Sequence, residues 1–266
     1  MIVHVPMAVH PDVQDVLVIG AGDGGALREL AKYGSIRRID LVEIDAALVD
    51  ACKKYLPSTA VGYQDSRVTV HNRDGLRFLR RLESAYDLII VDSTDPVGPG
   101  EIFFTKEFYG SCFKALKQDG IMVNQHESPF YDDESRAMRK ANKRICEFFP
   151  VHCVYQAHIP TYPSGHWLFG FSSKTYDPVA DLNADAWNAR HIATRYYNTD
   201  LHRGAFCLRP LEPFFRRGAR RIPQRLHVAV HPDDVECILI GRYRLAHYQY
   251  VSEAVGNERR QGDIRA

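Results

Sequence analysis

Leu88-Ile89-Ile90-Val91-Asp92-Ser93-Thr94-Asp95-Pro96-Val97-Gly98-Pro99 sets an apolar run directly against a polar loop with two carboxylates. Such a run reads as a strand buried on both faces, as in a parallel sheet. The loop leaves the carboxyl end of that strand, the edge at which open α/β sheets bind ligands. Pro96 and Pro99 stiffen it and Gly98 lets it bend, so Asp92 and Asp95 are expected on a semi-rigid platform at a binding edge. The competing reading is a plain strand-to-helix turn with Asp95 as an Asx-type turn residue.

Outward from this run, strand and helix patterns alternate. Upstream, Val16–Ile19 reads as a strand ending in Gly20-Ala21-Gly22-Asp23-Gly24-Gly25, with a helix over Ala26–Tyr33. Ile39–Val42 is a second strand ending at Glu43-Ile44-Asp45. A helix over Ala46–Tyr55 is expected to stop at Pro57. Arg67–Val70 is a third strand, with Asp74-Gly75 opening a helix. Downstream come a helix over Lys106–Leu116, a strand over Gly120–Asn124, a helix over Asp132–Phe148, and late strands over Val151–Ala157 and Trp167–Ser172. The alternation predicts one parallel, doubly wound sheet with an antiparallel addition at its end.

Composition narrows the function classes. The 266 residues are 45% hydrophobic and 25% charged with a formal net charge of +1, which argues for neither nucleic acid nor membrane as a partner. No apolar run approaches the roughly 20 residues of a membrane span, and the N-terminus does not resemble a signal peptide. Six cysteines without a CxxC pair suit reduced thiols and a cytoplasmic protein. Beyond about Arg216 the pattern weakens. Arg216, Arg217, Arg220, Arg221 and Arg225 read as a solvated surface, and His231-Pro232-Asp233-Asp234 reads as a chance echo of a metal motif, since Val235 follows where an acidic residue is needed.

The carboxylates carry the chemistry. Glycines at 20–25 allow a tight turn and close backbone approach to a ligand. Asp23 inside that loop disfavours a pyrophosphate and suits a cation. Glu43 is placed to accept ribose hydroxyls, and Asp74 to accept from an adenine amino group. Together they suggest a positively charged adenosine ligand without phosphate, such as an S-adenosyl sulfonium; alternatively, all three are caps and turn residues. With Asp92 and Asp95 added, five carboxylates share a site, and cations must neutralise them. No His or Cys joins the set at ligand spacing, so a polycationic organic substrate is expected and a metal is not.

The glycine loop, Val42-Glu43-Ile44-Asp45, Asp74-Gly75, the Asp92–Pro99 loop, Gln125-His126-Glu127-Ser128-Pro129 and Ile159-Pro160-Thr161-Tyr162-Pro163-Ser164-Gly165 resemble the polyamine aminopropyltransferases, the spermidine synthases in particular. The resemblance runs from Met1 to about Phe215 and includes Tyr196-Tyr197-Asn198. It implies a Rossmann-like fold of the S-adenosylmethionine-dependent methyltransferase type, and a catalytic domain over 1–215 with an extension of unknown role over 216–266. It implies aminopropyl transfer from decarboxylated S-adenosylmethionine, a co-substrate rather than a bound cofactor, to putrescine, giving spermidine and methylthioadenosine. It makes Asp92 the proton acceptor. Asp23 would face the donor's ammonium, and Asp95, Gln125 and Tyr162 would hold the diamine beside the Ser93-Thr94 bend. Gly20, Gly22, Glu43, Asp74, Gly75 and Pro99 would bind the nucleoside. Left to themselves, Tyr162 is read as a substrate residue ahead of a loop cap, and Gln125 reads equally as a strand-end residue. Trp167 reads as core or pocket wall, Glu127 as structural, and His126 and His166 as packed or exposed rather than ligands.

Relatives carry a small β-rich domain ahead of the stretch matching Met1–Pro6, with substrate-contacting residues that this sequence lacks. An acceptor pocket open on one side is therefore expected, and a homodimer or homotetramer is the expected assembly. The alternatives are a nucleoside-binding relative with little turnover and a methyltransferase on the same fold. The carboxylates at 23 and 95 oppose the latter, because they repel the carboxylate of ordinary S-adenosylmethionine.

Overall fold

Side chains at alternate positions of the central strands bury into two different cores, and this is why their sequences are apolar without a break. Val16, Val18, Leu88, Ile90, Ile121 and Val123 enter one core. Leu17, Ile19, Ile89, Val91 and Met122 enter the other. A strand pleats with period two, so only a strand covered on both faces buries every residue.

The computed structural model describes residues 1–93 and 98–208, with the side chains of Gly98 and Pro99 also outside the description. The expected extension over 216–266, its basic cluster and the His231–Asp234 motif therefore lie outside the described residues. The first half runs α1 (His4–Val9), β1 (Asp15–Gly20), α2 (Gly25–Leu30), β2 (Arg38–Val42), α3 (Ala46–Tyr55), α4 (Pro57–Ala60), β3 (Val68–His71), α5 (Gly75–Leu79) and β4 (Tyr86–Asp92). The second runs α6 (Lys106–Ala115), β5 (Leu116–Gln125), α7 (Asp132–Ile145), β6 (Val151–His158), β7 (His166–Ser173), α8 (Ala184–Asn188) and α9 (Thr199–Ala205). Short 3-10 turns lie at Val61–Gln64 and Gly98–Phe104.

The strands form one seven-stranded sheet in the order β3-β2-β1-β4-β5-β7-β6. β1 to β5 are parallel, and β7 runs antiparallel to both β5 and β6. This is the doubly wound sheet with its antiparallel addition. The order reverses between β1 and β4, where Gly20 is in register with Asp92. That reversal opens a crevice at the carboxyl ends of the strands.

Several element boundaries differ from expectation. Pro57 does not merely end a helix but opens α4 as its first residue, where its missing N–H is harmless. The helix expected to Tyr33 ends at Leu30, and the one expected to Phe148 ends at Ile145. α1 carries no sequence signal of its own, yet it is buried along its whole length. His4 fixes it, with Nδ1 at 2.6 Å from the Tyr33 hydroxyl and Nε2 at 3.0 Å from Glu29.

At the opposite end of the sheet, His10, Asp87 and Asp119 lie at metal-ligand spacing. Lys117 already supplies positive charge there, with Nζ 2.9 Å from Asp87 and 2.7 Å from Asp15. The Asp12 N–H donates to Nδ1 of His10, which leaves the ring proton on Nε2, facing Asp119 at 3.5 Å. That tautomer has no lone pair to offer a metal at Nε2.

Candidate active site

Three strand ends and the glycine loop place the predicted carboxylates around one groove of about 1570 Å³. Asp23, Glu43, Asp74 and Asp92 all line it, with Gly20, Gly22, Gly75, Ser93, Gln125 and Tyr162. Thr94 and Asp95 lie outside the described residues. Pro99 falls in the turn Gly98–Phe104, and only its backbone is described.

The glycine loop is shaped by the strand beside it. Gly20 has φ +81°, and a Cβ on it would lie 2.2 Å from the Asp92 carbonyl oxygen. The Ala21 N–H donates to that same carbonyl at 2.9 Å. The close approach is thus built from a left-handed glycine and one backbone hydrogen bond. Gly22 passes Glu43, where a Cβ would lie 3.1 Å from Oε2.

Each nucleoside-side carboxylate also does local structural work. Asp23 accepts from the Gly25 N–H at 3.2 Å, and Glu43 accepts through Oε1 from the Asp45 N–H at 2.9 Å. Asp74 caps α5, accepting through Oδ1 from the Arg77 N–H at 2.9 Å. The two readings of these residues are therefore not exclusive. A carboxylate has two oxygens, and one used in a cap leaves the other for a ligand. At Gly75 a Cβ would meet Ile19 at 2.8 Å and Phe103 at 3.0 Å, so the missing side chain lets the Phe103 ring close over the start of α5.

Asp92 differs from the others in its electrostatics. It is half-buried at the end of β4. Burial, and after it the negative charge of Asp23, lift its carboxyl to about 6. A carboxylate poised near neutrality and facing a groove suits proton transfer.

Gln125 ends β5, and Tyr162 lies across the groove, stacked on Trp167 with ring centroids 4.1 Å apart. Trp167 is buried and forms the platform under Tyr162, which makes it pocket wall. The loop that presents Tyr162 is closed by backbone bonds from Tyr162 to Ile159 at 3.1 Å and from Gly165 to Tyr162 at 2.8 Å. Of the nearby histidines, His126 is buried, and His166 is half-buried with Nε2 at 2.7 Å from Gln156. Glu127 is buried as well.

Sequence reasoning missed a basic side to the groove. Arg136, Lys140 and Arg144 of α7 line it, with Arg73. Arg136 pairs with Asp133, and Arg144 donates to the Phe104 carbonyl. The i, i+4, i+8 spacing was the signal that would have found this face. Apolar walls from Ile44, Leu48 and Phe103 were also unread. Ile44 is 69% exposed and turns an apolar side chain to the groove.

A family model described as the spermine/spermidine synthase domain matches residues 1–183. A polyamine aminopropyltransferase of Alkaliphilus oremlandii is 65% identical over 208 residues, covering 78% of this chain and 73% of the relative. One from Clostridium beijerinckii is 62% identical over the same length and coverage. Among solved structures, spermidine synthase in complex with the transition-state analogue AdoDATO superposes with a TM-score of 0.76 at 40% identity, over 79% of this chain and 71% of the other. Spermidine synthase from Thermotoga maritima superposes with a TM-score of 0.74 at 39% identity, over 79% and 70% of the two chains.

Proposed function

The chain belongs to the spermine/spermidine synthase family and is a polyamine aminopropyltransferase, and on that premise we infer how its acidic groove performs the reaction. The donor is decarboxylated S-adenosylmethionine and the acceptor putrescine. Glu43 takes the ribose through its free oxygen, and the adenine lies by Asp74 and Gly75 against Phe103. Asp23 faces the aminopropyl ammonium. Gln125 and Tyr162 hold the diamine with Ser93 beside it; on the resemblance alone, Asp95 and Thr94 join them and Pro99 contacts the nucleoside.

The acceptor nitrogen attacks the methylene next to the sulfonium. A C–N bond forms, the C–S bond breaks with its electron pair going to sulfur, and methylthioadenosine leaves. The positive sulfur is already a good leaving group. The harder task is presenting a neutral amine, which costs about 4–5 kcal/mol at pH 7 for an ammonium resembling lysine. Asp92 takes that proton, and holding nitrogen, carbon and sulfur in line supplies much of the remaining acceleration. The observation that carries this reading is the raised Asp92 carboxyl beside Asp23 in the one groove.

Residues 1–215 are proposed as the catalytic domain, with 216–266 an extension whose role is unassigned. Cys52, Cys112, Cys146 and Cys207 are free thiols, which supports the proposal of a cytoplasmic location. A homodimer or homotetramer is proposed, and light scattering reads it. The function is tested by product analysis with decarboxylated S-adenosylmethionine and a panel of diamines. Spermidine and methylthioadenosine in equal amounts from putrescine are expected. Methyl transfer from ordinary S-adenosylmethionine, or methylthioadenosine binding without product, refutes it.

A further inference from the structure

We propose that Tyr63 is a positioning residue for the donor, setting the glycine loop through the Gly22 peptide. The inference rests on the donor-site reading above, and it concerns a residue that carries no motif. Tyr63 lies in the 3-10 turn Val61–Gln64, roughly forty positions along the chain from the loop it touches.

Three contacts fix it there. Its hydroxyl donates to the Gly22 carbonyl at 2.8 Å. Its ring occupies the space a side chain at position 24 would need, since a Cβ on Gly24 would lie 2.8 Å from Tyr63 Cε2. Lys53 covers the ring with its Nζ 4.7 Å from the centroid. The turn itself is pressed on α2, where a Cβ on Gly62 would lie 2.5 Å from the Arg28 nitrogen and 2.6 Å from the Leu27 carbonyl carbon. The missing side chain at Gly24 thus lets the Tyr63 ring seat on the loop, and that at Gly62 lets the turn seat on α2.

The consequence falls on the donor. Gly22 is the residue where the loop passes Oε2 of Glu43, and Asp23 follows it directly. A glycine peptide has wide conformational freedom of its own. The tyrosine hydroxyl restrains the Gly22 carbonyl, and so fixes both the passage beside Glu43 and the direction in which the chain leaves toward Asp23. Burial pushes the Tyr63 phenol up, with Asp23, Cys52 and Glu43 adding to the effect, so the hydroxyl keeps its proton and stays a donor. Tyr63 touches no reacting atom. It acts through Gly22.

Y63F removes the hydroxyl and keeps the ring. The expected result is a donor KM raised about fivefold and a methylthioadenosine Kd weakened by the same factor, while the acceptor KM at saturating donor and the melting temperature stay at wild-type values. Y63L, which also removes the ring, is expected to exceed Y63F in both donor measurements. A Y63F donor KM and methylthioadenosine Kd within twofold of wild type overturn the proposal. So does a parallel rise of donor and acceptor KM with a lowered melting temperature, the pattern of a merely structural residue. Wild-type turnover tests the reaction itself, and the binding measurement reads Tyr63 independently of turnover.

Discussion

Asp92 is held in a protonation balance that the free side chain does not have. Its carboxyl is lifted to about 6 by burial and by Asp23, so the fold binds its proton more tightly than the unfolded chain does. A raised carboxyl reverses the usual sign for an aspartate. The ionised form is disfavoured in the fold, and stability falls as pH rises from the unfolded value toward 6. D92N is therefore expected to stabilise the protein by about 2 kcal/mol at pH 8, with the gain shrinking as pH falls toward 4. Chemical denaturation of both proteins across that range checks it. The acid limb of kcat/KM for the acceptor is expected near the same value of about 6, because the base is lost as it protonates. D23N removes one negative neighbour and is expected to move that limb to lower pH. A limb unmoved by D23N assigns the whole shift to burial.

The strands were legible as elements because burial on both faces leaves a composition that a half-exposed strand does not have. Leu88–Val91 and Val16–Ile19 are such runs, and both are strands with alternate residues in opposite cores. Helix ends were less legible. Pro57 stops one helix and starts another, and a proline cannot report which without its neighbours. α1 was invisible because burial all round leaves no period to read. The glycine loop was legible in kind, and the structure adds the partner that demands it. G20A brings a Cβ to 2.2 Å from the Asp92 carbonyl in a left-handed backbone. It is expected to lower stability by at least about 2 kcal/mol and to lower turnover with it, since the Asp92 backbone must move. Thermal melts and initial rates together check this. K117M, at the other end of the same strands, removes the cation shared by Asp15 and Asp87. It is expected to lower stability by about 2 kcal/mol while kcat stays near wild type, which separates the two ends of the sheet by function.

At the scale of the molecule, the acidic site is a product of strand order. Asp23, Glu43, Asp74 and Asp92 are spread over seventy positions, and the parallel sheet brings their strand ends to one edge. Each sits at a strand's carboxyl end or in the loop that leaves it, so the set was readable from the sequence once the strands were read. The basic face of α7 was legible as a helix face from its spacing, but its place on the groove, like the Tyr63 contact, was not, because each depends on how a helix or turn packs against that edge. A sequence shows spacing along one element and is silent about the distance between two. The central claim is that this groove transfers an aminopropyl group with Asp92 receiving the amine's proton. The most direct test compares wild type and D92N for spermidine formation from decarboxylated S-adenosylmethionine and putrescine, with methylthioadenosine affinity measured in parallel. The prediction is a loss of at least a hundredfold in kcat for D92N, with methylthioadenosine affinity within about threefold of wild type. Turnover by D92N at the wild-type rate contradicts the account.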